Sequence, residues 1–145
     1  MNDPYNLQRF VDAQEPVYQQ VLDELHAGRK RSHWMWYIFP QLKGLGRSGT
    51  AEWYGIASLG EARAYLAHPV LVARLRECVR IATEIEGRTA VQVFGETDAM
   101  KLRSSLTLFA AAAEDRDDFT SALERYFGGQ PDSLTLERLR ASQSG

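Results

Sequence analysis

Residues 33–39 read His33-Trp34-Met35-Trp36-Tyr37-Ile38-Phe39, an uninterrupted aromatic and apolar run closed by Pro40. Its composition suits a buried strand, but period alone does not separate so short a run from a turn of buried helix. The surroundings decide. No other segment alternates comparably, and a strand without a partner would leave buried backbone N–H and C=O groups unbonded. The run is therefore read as a buried helical turn ending before Pro40, whose ring disfavours helix in the residue ahead of it. Nothing else in the chain argues for a sheet, so the expected fold class is all-α.

Outward from this run the sequence has helical period and helix punctuation. Asn6 is placed to cap a first segment whose Leu7, Phe10, Val11 and Gln14 share a face. Pro16 fits the first turn of a second, with Val17, Val21, Leu22 and Leu25 as its apolar stripe and Gly28 as its stop. Ser58 and Glu61 have the spacing of a capping box and open a short helix through Leu66. Pro69 starts a longer one, where Leu71, Leu75, Cys78, Ala82 and Ile85 line up before Gly87. Thr89 caps a turn or two ending at Phe94-Gly95, and Thr97 caps a long helix reaching about Glu114. Asp117 or Asp118 begins a helix closed by Gly128-Gly129, and Ser133 begins a last short one over Leu134 to Leu139. No repeat or linker divides the chain, so residues 1–145 are expected to form one multi-helical bundle, with the last ten or so residues a loose tail.

Composition limits the function. The chain has 145 residues, one cysteine and a formal charge of −2. At that length a core burying roughly 70% of the unfolded surface needs neither disulfide nor metal. Cys78 has no partner for an internal bridge, and the longest uncharged apolar stretch, Trp34 to Leu42, is far short of a membrane span, which points to a cytoplasmic protein. The near-neutral sum hides an asymmetry. From Leu25 to Ala51 there is no acidic residue, while Arg29, Lys30, Arg31, Lys43 and Arg47 give +5, and the 12 basic and 19 acidic residues elsewhere give −7.

Three stretches offer chemistry. Gly44-Leu45-Gly46-Arg47-Ser48-Gly49 has the form G-x-G-x-x-G, but a dinucleotide fingerprint needs a preceding strand and a full helix opening at its third glycine. What remains is either an anion cradle, with Arg47 and Ser48 as donors, or a tight surface turn. Arg29-Lys30-Arg31 beside Trp34, Trp36 and Tyr37 resembles a nucleic-acid platform, which a pI near 5.9 makes an unlikely use. On the long helix, Lys101, Ser104, Ser105 and Leu108 share a face. Turned inward, they form an anion site or a Ser–Lys pair; turned outward, the serines bond back to the preceding turn. His26, His33 and His68 lack metal-ligand spacing and there is no C-x-x-C, so no metal is expected, and the residues imply no particular cofactor.

Taken together, several stretches resemble a mainly bacterial family known as domain of unknown function 1810. They are Asp3-Pro4 with Leu7-Gln8-Arg9-Phe10, the block Gly28 to Gln41, Gly44-Leu45-Gly46, Tyr54-Gly55-Ile56, Glu61-Ala62 with Tyr65-Leu66, and Phe94-Gly95 followed by Asp98, Lys101, Leu102, Ser104, Ser105, Thr107, Leu108 and Phe109. The resemblance implies a single-domain helical fold with buried central helices and brings no reaction or cofactor. Members are often labelled calpastatin, but that inhibitor is a disordered repeat protein and this chain has neither property.

These readings converge on a pocket for a small anionic, phosphate-bearing or nucleotide-like ligand between the Trp34–Gly49 segment and the Lys101–Thr107 helix face. Its expected ligand-binding residues are Arg31, Trp34, Trp36, Gln41, Arg47, Lys101, Ser104, Ser105 and Thr107; His33, Lys101 and Ser105 are the candidates for catalysis. The alternative is a non-enzymatic domain that docks an acidic protein or nucleic acid through the basic 29–47 segment.

Overall fold

The computed structural model describes residues 3–144, with side chains through Ala141. Among them lie α1 (Gln8–Gln14), α2 (Tyr18–His26), α3 (Met35–Ile38), α4 (Gly49–Tyr54), α5 (Leu59–Ala67), α6 (Pro69–Glu84), α7 (Ala90–Phe94), α8 (Glu96–Ala112), α9 (Asp117–Phe127) and α10 (Ser133–Ser144). The described residues contain no strand beyond one parallel bridge, Leu42 with Ile56. The run Trp34–Phe39 is the helical turn expected, with Met35 and Ile38 buried.

The core is organised round α8, which packs on α5, α7, α9 and α10, while α6 packs on α2, α5 and α9. Ser104 to Phe109 are buried in unbroken succession, so α8 is covered on every side, the property of a central helix. Rings run through this core. Phe10 meets Tyr65 edge-on at 5.1 Å, Tyr65 meets Phe109 at 5.2 Å, and Phe109 stacks on Phe119 at 6.0 Å. Cys78 lies among them, its thiol pushed up to about 12 by burial, and is a protonated core residue.

Side-chain caps mark the starts of α4, α5, α6 and α7. Thr89 and Gln92 form the full reciprocal box at α7, and Gly128 closes α9 at φ +61°. Several details differ from the expectations. Pro16 does not stand in the first turn of α2, which starts at Tyr18 with Val17 as its N-cap and leaves Pro16 in the turn before it. Asn6 does not cap α1; it turns the chain at φ +52°, which lets both oxygens of Asp3 accept the N–H groups of Leu7 and Gln8 at 2.7 and 3.0 Å. Thr97 does not cap α8, which starts two residues earlier than that cap would place it, with Gly95, at φ +84°, as its N-cap. Glu61 accepts from Ala57 N–H and Arg9 rather than from Ser58 N–H, so the Ser58 box is half formed. Finally, the segment expected as a loose tail is helical to Ser144. Asp132 accepts from Thr135 N–H at the start of α10, and buried Thr135 and Leu139 hold the helix on the body.

Candidate functional site

The basic block is organised by a carboxylate. Glu24, on α2, is 7% exposed and accepts the N–H groups of Arg31 (2.7 Å) and Ser32 (2.9 Å), the Ser32 hydroxyl (2.7 Å), the Trp34 indole N–H (3.0 Å) and the Gln20 carboxamide (3.0 Å). Burial alone would raise its pKa. The hydrogen bonds from Ser32, Arg31 and Trp34 outweigh that and hold the carboxyl at about 2. Five donors fill its acceptor capacity, so Glu24 is a structural anion that fixes the chain from Arg31 to Trp34.

Lys30 is turned inward by the same arrangement. Its backbone N–H donates to the Val93 carbonyl at 2.8 Å, and its side chain is 6% exposed. The ammonium lies 5.0 Å from the centre of the Trp34 ring, 2.8 Å from Asp98 Oδ2, and donates to the Ser32 carbonyl. Arg29, Arg31, His33 and Arg47 are exposed.

A second lysine repeats the motif on the surface. Lys101 places its ammonium 4.9 Å from the centre of the Trp36 ring, with its side chain 21% exposed. Its carboxylate neighbour is the same Asp98, whose Oδ1 lies 3.9 Å away, too far for a hydrogen bond. Met35, Trp36 and Phe39, Gln41, Ala51, Tyr54 and Gly55 enclose a recess beside it of about 10 Å³, room for one oxygen-sized group. The glycine loop lies behind this recess rather than lining it. A Cβ on Gly46 would stand 2.5 Å from the Ala51 Cβ, so only glycine lets the loop close against α4. Ser48 is occupied as the cap of α4, accepting from Ala51 N–H at 3.0 Å.

Three of the expected ligand residues, Trp36, Gln41 and Lys101, therefore meet at one recess. Arg31 lines a separate shallow hollow with Gln20, Asp23 and Arg29, and Trp34 is 1% exposed in the core. Ser104 and Thr107 bond back to the carbonyls of Met100 (3.1 Å) and Arg103 (2.8 Å), and the Thr107 oxygen accepts Asp132 N–H at 2.8 Å. Ser105 is buried, and its hydroxyl has no hydrogen-bond partner among the described residues, Lys101 included. Ala51 and Glu24 are not singled out by the sequence, and Tyr54 and Asp98 enter there only among the residues that carry the family resemblance, not as site residues. Asp98 was the most accessible of them, since it stands three residues before Lys101 on a helix. Among the described residues no group of three His, Cys, Asp or Glu could hold a metal ion, and no helix is long and apolar enough to cross a membrane.

No curated protein matches the chain. Its structure is similar to the crystal structure of the conserved hypothetical protein Rv1873 from Mycobacterium tuberculosis, with a TM-score of 0.94, 51% sequence identity, and coverage of 95% of this chain and 99% of the other. The stretch Gly28 to Gln41, with Glu24's partners and Trp36, and the stretch holding Asp98 and Lys101 meet across the Lys30–Asp98 contact. The family described as "Protein of unknown function (DUF1810)" matches residues 4–139, and the chain belongs to it.

Proposed function

We propose that this protein binds a small ligand bearing an oxyanion at the recess between α3, α4 and the first half of α8. Lys101 holds the anion, Gln41 supplies a polar contact at the recess, and Trp36 and Tyr54 are its walls. The observation that carries this reading is the state of Lys101. Its cation is seated on an aromatic face and makes no hydrogen bond within the described residues, while the carboxylate nearby is already bonded to Lys30. An ammonium with three unused donors in a half-covered position gains more from an anion than a fully solvated one does. The recess admits a single oxygen-sized group, which suits the tip of a phosphate or carboxylate whose remainder lies at the mouth. The reading is of binding alone, because Ser105 and Lys101 are not hydrogen-bonded and His33 does not line the recess.

Docking of an acidic protein or nucleic acid through residues 29–47 draws less support, because Lys30 is already engaged with Asp98. Titration with inorganic phosphate and adenosine monophosphate, followed by the Trp36 indole N–H signal in NMR, tests the main reading. Binding is expected to move that signal, and Lys101→Met is expected to weaken it about tenfold or more, the value of one charge-assisted hydrogen bond. An unmoved Trp36 signal, or equal affinity in the variant, rules the site out.

A further inference from the structure

Two lysines, each seated on a tryptophan, share one carboxylate unequally. Asp98 gives Oδ2 to Lys30 at 2.8 Å and leaves Oδ1 at 3.9 Å from Lys101. Lys30 is locked in place. Its backbone donates to Val93, its stem is buried, and its ammonium is held by Ser32 and the Trp34 face. Lys101 is half-covered and has only the ring and the distant oxygen. Asp98 and Lys101 stand three residues apart on α8, a spacing at which a full ion pair forms readily. Here the carboxylate is turned so that Oδ2 meets Lys30 at 2.8 Å and Oδ1, which has acceptor capacity left, stands 3.9 Å from Lys101.

We propose that Lys30 is a positioning residue for the oxyanion site: by holding the Asp98 carboxylate turned toward itself it keeps Oδ1 out of hydrogen-bond reach of Lys101, whose donors stay available to ligand, and Asp98 sets the strength of the site's positive field. This rests on the reading of the recess given above and adds how its affinity is controlled. It has a consequence of sign. Removing the Lys30 cation releases Asp98 to Lys101 and weakens anion binding, although Lys30 itself is buried. Removing the Asp98 charge strengthens binding. The gain from the second change scales with ligand charge, because an altered potential acts on each unit of charge alike.

The test uses two probes with the same ring. Phenyl phosphate is doubly charged at about pH 8, above the second phosphate pKa of about 6, and methyl phenyl phosphate is singly charged. Each is titrated into the full chain with the Trp36 indole signal as readout. In Asp98→Asn the dianion is expected to bind about tenfold more tightly and the monoanion about threefold, so that the logarithmic gain doubles with charge. In Lys30→Met, where a thioether stem replaces the ammonium over Trp34, both probes are expected to bind about three- to tenfold more weakly. If Asp98→Asn does not fold with Lys30 unpaired, the double variant K30M/D98N, which leaves neither charge behind, must bind more tightly than Lys30→Met alone. Equal gains for the two probes in Asp98→Asn, or wild-type affinity in Lys30→Met, overturns the proposal while leaving the recess intact. Failure of the wild-type chain to bind either probe removes the recess reading and this one with it.

Discussion

Trp34 and Trp36 are two residues apart, and each carries a lysine at about the same distance, 5.0 and 4.9 Å. One assembly has its polar groups matched and the other does not. Around Trp34 every strong group is matched. Its indole N–H is on Glu24, Glu24 has five donors, and Lys30 is bonded to Asp98 and Ser32. Around Trp36 the cation keeps its donors and the carboxylate is directed elsewhere. Matched polar groups in a buried place specify a fold, and an unmatched one at a surface recess is what a ligand can use.

The comparison breaks first at Glu24. Glu24→Ala leaves four of its buried or half-buried donors near the core without their acceptor and is expected to lower unfolding free energy by about 3–5 kcal/mol in denaturant titration. A smaller loss there would mean that the Trp34 assembly is dispensable.

The second expectation concerns pH. The Glu24 carboxyl has a folded-state value of about 2 against an ordinary 4.5, so its contribution is complete above the ordinary value and lost as pH falls from there through about 2. The loss is about 3 kcal/mol over that window, and Glu24→Gln should flatten this part of the stability–pH curve.

Third, the two tryptophans should differ under the same change. Trp34→Phe removes a buried hydrogen bond to a charged acceptor and is expected to cost about 2 kcal/mol or more. Trp36→Phe, on a half-exposed ring, should cost less than about 1 kcal/mol and show its effect in ligand binding. Equal costs would dissolve the distinction.

Fourth, Ser105→Ala should be neutral or stabilising by up to about 1 kcal/mol in thermal unfolding, because it deletes a buried hydroxyl without a partner. The smallest effect is expected from Lys101→Met, whose stability should stay within about 0.5 kcal/mol of the parent while its oxyanion binding weakens about tenfold or more.

Much of the helical framework was legible because it depends on short-range signals. The Thr89–Gln92 box, Gly28, Gly87 and Gly128 as stops, and Pro69 at the head of α6 act within a few residues of themselves. The caps that were misread depend on a third residue. Asp3 reaches Leu7 and Gln8 only because Asn6 turns the chain, and Glu61 is drawn from its own box by Arg9, which lies 52 positions away in the sequence. Of the site, Trp36, Gln41 and Lys101 were recoverable from residue type and helical spacing. Tyr54 and Ala51 were not, since α4 had no sequence signal beyond Ser48 and lies at the recess through the Gly46 contact.

The sequence by itself therefore determined an all-helical chain with its aromatic run as a buried turn, and showed that its positive charge gathers between Leu25 and Ala51. Which of the chain's lysines keep their donors unengaged is set by tertiary packing. Lys30 and Lys101 are the same residue type, each beside a tryptophan ring, and no local pattern distinguishes them. Burial and the orientation of the Asp98 carboxylate do: Oδ2 is at hydrogen-bond distance from Lys30 while Oδ1 stands 3.9 Å from Lys101, an arrangement that exists only once α8 has packed against the Lys30–Trp36 segment.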